Sequence, residues 1–107
     1  MKTIVVDASV VAAAFFPEPH HGTAEGILAS GWDLCAPDLL LAEVGNVVWK
    51  RHMRGELTTP EAEALVADIL RLPIQCTPSA ALVGMALPLA MWTSRTVYDC
   101  LYLALAA

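Results

Sequence analysis

The chain has 107 residues, of which 57% are apolar and 16% charged, and its formal net charge is −5. This length is typical of one domain, and the apolar content suits a compact core and excludes a disordered tail. The negative charge is unusual for a nucleic-acid-binding protein, whose surface is generally basic.

No segment of the sequence predicts membrane insertion or secretion. The longest apolar stretch, residues 80–92, is interrupted by Pro88 and is shorter than the roughly 20 residues that a membrane span needs. The first residues lack the zones of a signal peptide, so we expect a cytoplasmic location. Cys35, Cys76 and Cys100 have neither CxxC nor Cys/His spacing, so we expect buried free thiols.

Strand-like and helical segments alternate along the chain. Residues 3–6 are β-branched or apolar throughout, which predicts a central strand of a parallel sheet buried on both faces. Ser9 and Asp38 are the predicted caps of the two helices that follow strands. The predicted elements are a strand over 3–6, a short helix up to 16, a helix over 21–30, a strand over 32–36, helices over 39–54 and 59–71, a strand over 72–76, and helices over 79–91 and 97–107.

This order of elements predicts the fold class. Strands separated by pairs of helices are typical of a doubly wound α/β fold, whose ligand crevice lies at the carboxyl ends of the strands. Asp7 directly follows the first predicted strand. The sheet itself would therefore place this carboxylate at the crevice.

Three carboxylates stand far apart in the sequence, each in apolar surroundings. Asp7 follows Ile4-Val5-Val6, Glu43 lies within LLLAEVGNVVW, and Asp99 lies within TVYDCLYLALA. If the fold gathers them, they repel one another and raise each other's pKa unless a cation neutralises them. Mg²⁺ or Mn²⁺ is the natural partner of such oxygen ligands.

Each acid also has an ordinary structural alternative. Asp7 could simply open a turn after a strand, which is a common role for aspartate. Glu43 could lie on the solvent face of its helix. Thr96 and Asp99 fit a capping box, in which the acid bonds back to the N–H of the cap residue, and this role is compatible with metal binding.

Ser9 and Asn46 are the accessory candidates. Besides capping a helix, Ser9 could donate a hydrogen bond to a metal-bound water or a phosphate. Asn46 lies three residues after Glu43 and therefore shares its helical face. It could orient the Glu43 carboxylate or be an ordinary surface amide.

The remaining histidines and aromatic residues show no functional pattern. No histidine has a second ligand at helical spacing, so we expect surface positions for His20, His21 and His52. Packing roles are expected for Tyr98 and Tyr102. The tryptophans are scattered instead of interleaved with basic residues, which favours core or interface positions for Trp32, Trp49 and Trp92.

The segments around the three acids resemble a known family. MKTIVVDASVVAAAF, PDLLLAEVGNVVWK and TVYDCLYLALA are similar to the three acidic blocks of the PIN domain, specifically of the VapC-type toxin ribonucleases. The resemblance implies a single domain over 1–107 with a three-layer α/β/α sandwich and a central parallel sheet. In the family a Thr-x-Asp segment further on supplies a fourth acid. That acid is absent from this chain, so we expect the C-terminal strand and helix to be missing.

The resemblance also implies a function. It is that of a divalent-metal-dependent endoribonuclease, the toxin of a type II toxin-antitoxin system, with Asp7, Glu43 and Asp99 as catalytic residues that hold Mg²⁺ or Mn²⁺. Its implied partners are the RNA substrate and a cognate antitoxin protein. The candidates for contact with RNA phosphates are Lys50, Arg51, Arg54, Arg71 and Arg95.

Three further expectations remain open beside this one. The apolar composition of residues 79–107 predicts a homodimer. The missing fourth acid favours a catalytically impaired module that binds an antitoxin or RNA without cleavage. An α/β phosphatase with Asp7 as nucleophile is less favoured, because that chemistry usually needs an acid where this chain has Ser9.

Overall fold

The structure is a computed structural model that describes residues 2–107. Its elements are β1 (Thr3–Val5), α1 (Ala8–Phe15), α2 (His21–Leu28), β2 (Asp33–Pro37), α3 (Leu39–Met53), α4 (Thr59–Leu70), β3 (Ile74–Thr77), α5 (Ser79–Thr93) and α6 (Val97–Ala106). The predicted order of strands and helices is confirmed, and no predicted end moves by more than two residues.

The three strands form one parallel sheet in the order β1-β2-β3. In the described chain β1 lies at an edge of this sheet, so the prediction that residues 3–6 form a central strand buried on both faces is wrong. Thr3 is exposed, and Ile4 and Val5 are half-buried. An apolar run indicates that helices cover a strand, but it does not show whether the strand has one neighbour in the sheet or two. Within the described residues β1 pairs only with β2.

The helices and the sheet bury two separate clusters of apolar side chains. The register places Ile4, Leu34 and Ile74 side by side on one face, where they pack with α1, α3 and α4. α6 contacts β1 and β2, and α5 packs on α6. The second cluster is buried between these two helices and consists of Leu82, Ala86, Ala90, Cys100, Leu101 and Ala104. The α/β fold class is therefore confirmed.

Asp38 is the N-cap residue of α3, as predicted, but its side chain forms its hydrogen bonds with another helix. Its backbone is already helical, at φ −63° and ψ −17°, and its side chain makes no capping hydrogen bond to α3. Asp38 Oδ1 instead accepts hydrogen bonds from Ser79 N at 3.1 Å and Ser79 Oγ at 2.6 Å. A cap residue normally has extended backbone geometry, which aims its side chain at the first-turn amides. Asp38 lacks that geometry, so its carboxylate joins the end of β2 to the start of α5.

Two of the three histidines are partly exposed and contact backbone carbonyls near the ends of helices. His21 and His52 are half-buried, whereas His20 is exposed. The Nδ1 atom of His21 lies 2.8 Å from the carbonyl oxygen of Ala13, and that of His52 lies 2.8 Å from the carbonyl oxygen of Leu57. A carbonyl only accepts, so Nδ1 carries the proton in both contacts.

The surface carries several large apolar side chains. The tryptophans Trp32, Trp49 and Trp92 are 42%, 56% and 84% exposed, which excludes the core and leaves an interface role as a prediction. α5 also exposes Val83, Met85, Leu87 and Met91. No helix within residues 2–107 combines the length and apolar character that a membrane crossing requires.

The three cysteines are free thiols, as predicted, but the predicted burial is confirmed only for Cys100, because Cys35 and Cys76 are half-buried. Burial, followed by the nearby Asp38 carboxylate, raises the pKa of the Cys76 thiol above its ordinary value. A thiol that keeps its proton is a poor nucleophile.

Candidate active site

Asp7 lies just beyond β1 and forms the N-cap of α1. Its backbone is extended, at φ −111° and ψ 177°. Asp7 Oδ1 accepts hydrogen bonds from Ser9 N at 3.0 Å, Val10 N at 3.2 Å and Ser9 Oγ at 2.5 Å. The cap residue is therefore Asp7 and not the predicted Ser9, whose hydroxyl donates a hydrogen bond to the Asp7 carboxylate. Within residues 2–107 the second carboxylate oxygen of Asp7 has no hydrogen-bond partner, so it is free to bind a ligand.

Glu43 lies in the second turn of α3 and is half-buried. The hydroxyl of Tyr102, on α6, donates a short hydrogen bond to Glu43 Oε1. Desolvation by burial, followed by the hydrogen bond to Glu43, raises the pKa of Tyr102 well above its ordinary value. The phenol therefore keeps its proton and acts as a donor at neutral pH.

Tyr102 is the site residue that the sequence did not reveal, because we expected it only to pack. The available signal was its spacing: it lies three residues after Asp99 and therefore on the same face of α6. Tyr98, which precedes Asp99, is 65% exposed and does not line the site.

Asp99 lies in the first turn of α6, where the predicted capping box forms only in part. Asp99 N donates to Thr96 Oγ1 at 3.1 Å, so Thr96 caps the helix. Within the described residues the Asp99 carboxylate does not bond back to the Thr96 amide, in contrast to the full box at the start of α4. The exposed Asp99 carboxylate remains available for a ligand.

The structure brings the three predicted acids together at one cavity of about 390 Å³. Its lining consists of Asp7, Ala8, Ser9, Glu43, Arg95, Asp99, Tyr102 and Leu103. The cavity lies beyond the carboxyl end of β1, where the doubly wound pattern predicts a ligand site. The other accessory candidate, Asn46, is exposed and does not line this cavity.

Arg95 is the one basic residue in this lining. It lies in the turn between α5 and α6, next to Ser94, whose φ of 60° is left-handed and ends α5. Arg95 N donates to Thr93 Oγ1 at 3.3 Å, which holds the turn. A guanidinium beside three carboxylates leaves the cavity with an excess of negative charge.

The chemistry of the donors fits a hard divalent cation, since carboxylate oxygens are the ligands that Mg²⁺ and Mn²⁺ prefer. The carboxylates lie farther apart than the ligands of a complete metal site would. Within residues 2–107, no three Asp, Glu, His or Cys side chains lie close enough together to hold an ion. The acids thus line one cavity without closing around one point.

A larger cavity of about 610 Å³ lies between α1, α3 and α4. Its basic residue, Arg51, is already paired with Glu18 at 3.0 Å and approaches Glu56 at 3.9 Å, and it lies 4.0 Å from the centre of the Phe16 ring. These groups tie neighbouring segments together. The smaller cavity is the better candidate because its carboxylates are not used in ion pairs.

Comparison with known proteins agrees with the α/β fold. The sequence model of the PIN domain family matches residues 4–107. The chain is 34% identical over 105 residues to Ribonuclease VapC3 of Pyrobaculum aerophilum, an alignment that covers 96% of this chain and 80% of that protein. The chain therefore belongs to the PIN domain family. Within this family it is a VapC-type member, as its three acidic blocks predicted.

Proposed function

We propose that this protein is a divalent-metal-dependent endoribonuclease that hydrolyses RNA phosphodiester bonds as the toxin of a type II toxin-antitoxin pair. The observation that carries the proposal is that Asp7, Glu43 and Asp99, from three distant parts of the chain, line one cavity. Membership of the PIN domain family and the similarity to a protein named a ribonuclease support RNA as the substrate. The partner would be a cognate antitoxin, and the location the cytoplasm.

In this proposal each residue of the cavity has a defined role. Asp7, Glu43 and Asp99 hold Mg²⁺ or Mn²⁺ through carboxylate oxygens. When bound, such a cation acidifies water and offsets negative charge on the phosphate under attack. Arg95 binds a phosphate oxygen, for which a guanidinium is well suited. Ser9 fixes the orientation of the Asp7 carboxylate through the hydroxyl contact of 2.5 Å.

The substitution Asp7→Asn tests the proposal, because asparagine caps a helix as well as aspartate but carries no charge. We expect cleavage of RNA in Mg²⁺ to fall by roughly 100-fold or more, since the cation supplies several kcal/mol of stabilisation in such reactions. Asp33→Asn is the matched control, because Asp33 is exposed and lies outside the cavity. Undiminished cleavage by Asp7→Asn, or full activity in excess EDTA, would contradict the proposal.

A second candidate function is a catalytically impaired PIN-like module that binds an antitoxin or RNA without cleavage. The open arrangement of the acids favours it. A calorimetric titration with Mn²⁺, combined with an assay of RNA cleavage, separates the two functions. We expect residues 1–107 to bind Mn²⁺ and to cleave RNA. RNA binding without Mn²⁺ binding or cleavage would support the impaired module.

We also propose that the protein forms a homodimer through α5. This helix has no charged residue and exposes Val83, Met85, Met91 and Trp92 at 48% to 84% of their surface. Contiguous apolar surface on a small domain generally marks an interface. The antitoxin is the alternative occupant of this surface.

A further inference from the structure

Tyr102 is placed to control Glu43. The two residues are 59 positions apart in sequence, and the phenol hydroxyl of Tyr102 donates to Glu43 Oε1. Both side chains are half-buried and line the cavity that also contains Asp7 and Asp99. The hydrogen bond thus joins α6 to α3 across the site.

The contact uses one of the two oxygens of the carboxylate. Within residues 2–107, Glu43 Oε2 has no hydrogen-bond partner. Asp7 shows the same division, because its Oδ1 is held by Ser9 and Val10 while its Oδ2 is free. Both acids therefore keep one oxygen in protein contacts and have one oxygen left for a ligand.

A glutamate needs such a contact more than an aspartate does. Its side chain has an additional rotatable bond, and fixing it in one conformation costs conformational entropy. Carboxylates that bind metals are commonly held by hydrogen bonds from neighbouring groups, and losing such a group typically weakens metal affinity by about 10–100-fold.

We infer that Tyr102 is a positioning residue that holds Glu43 Oε1 so that Glu43 binds the divalent cation through Oε2 alone. This inference rests on the proposed function, because it requires a cation in the cavity. Tyr102 acts through Glu43, and its own hydroxyl stays in the hydrogen bond.

Calorimetric titration with Mn²⁺ tests this role without measuring activity. Tyr102→Phe removes the hydroxyl and keeps the ring, and we expect Mn²⁺ to bind about 10-fold more weakly. Tyr98→Phe makes the same change in an exposed tyrosine on the same helix, and its Mn²⁺ affinity should equal that of the unmodified protein. The melting temperature of each variant shows whether the fold is retained.

A double-mutant cycle distinguishes positioning from packing. If Tyr102 acts through Glu43, then Tyr102→Phe should not weaken Mn²⁺ binding further in a protein that already carries Glu43→Gln. Equal additional losses in both backgrounds would show a merely structural role and overturn the inference.

Two further outcomes separate the inference from the proposed function. Unchanged or tighter Mn²⁺ binding by Tyr102→Phe would overturn the positioning role while the metal-dependent function stands. A lack of Mn²⁺ binding by the unmodified protein would remove the proposed function and the inference together.

Discussion

At the scale of single residues, Asp7 has a structural task and, in the proposed function, a second task as a metal ligand. One carboxylate oxygen caps α1 by accepting the amide hydrogens of Ser9 and Val10, and the other is free at the cavity. A short side chain at the start of a helix is held by the backbone itself. The Asp7 carboxylate is therefore held rigidly, and we expect substitutions of Asp7 to affect stability, ligand binding or both.

Two substitutions of Asp7 separate these tasks. Asp7→Ala removes the cap, and we expect it to lower the free energy of unfolding by about 1 kcal/mol, the usual cost of losing an N-cap. Asp7→Asn keeps the cap and should change stability much less. Urea unfolding followed by circular dichroism measures both. Equal losses for the two variants would show that charge, and not the cap, makes Asp7 stabilising.

At the scale of elements, α4 and α6 both begin with a threonine cap, but the acid three residues later has a different role in each helix. At α4, Thr58 and Glu61 form a full capping box, with Thr58 N donating to Glu61 Oε1 at 2.8 Å and Glu61 N donating to Thr58 Oγ1 at 3.2 Å. At α6, Thr96 caps the amide of Asp99 but receives nothing in return. The incomplete box leaves the Asp99 carboxylate for the cavity.

The box at α4 predicts a pH dependence of stability. Its hydrogen bonds to Thr58 lower the pKa of Glu61 below the ordinary value of 4.5. The unfolded chain therefore binds a proton at a higher pH than the folded chain. The stabilising contribution is present above the unfolded pKa and is lost as the pH falls through the folded pKa.

Glu61→Gln tests this dependence, because glutamine can still close the box but does not titrate. We expect the variant to lose less stability than the unmodified protein between about pH 6 and pH 3. Glu63→Gln changes an exposed residue outside the box on the same helix, and this variant should lose as much stability in acid as the unmodified protein. Chemical unfolding at each pH provides the measurement. Identical pH profiles for Glu61→Gln and Glu63→Gln would contradict the argument.

At the scale of the whole molecule, α5 presents an exposed apolar face. Its inner residues Leu82, Ala86 and Ala90 pack on α6, so the remaining apolar side chains face outward. No lysine, arginine, aspartate or glutamate interrupts this helix. Such a surface is stabilised when another apolar surface covers it.

Light scattering at high micromolar concentration tests the proposed homodimer. We expect the mass of a dimer for the unmodified protein and a largely monomeric Trp92→Lys, because Trp92 is 84% exposed at the end of α5. Trp49→Lys changes an exposed tryptophan on α3 and should remain dimeric. A monomeric unmodified protein would refute the dimer. In that case, greater solubility on co-expression with the antitoxin would assign the surface to that partner.

The sequence by itself determined the order of the elements and the candidate acids. Apolar spacing, proline, glycine and cap residues act within a few positions of the chain, so they could be read locally. The resemblance to the PIN domain added the expectation that Asp7, Glu43 and Asp99 meet. The lining of one cavity by all three is consistent with it.

Only the tertiary structure decided which distant groups touch. Tyr102 donates to Glu43 across 59 positions, and Ser79 donates to Asp38 across 41. The edge position of β1 likewise depends on strand pairing. A local pattern indicates where a helix or strand lies, but it does not identify the partner, because contacts between elements depend on how the whole chain packs.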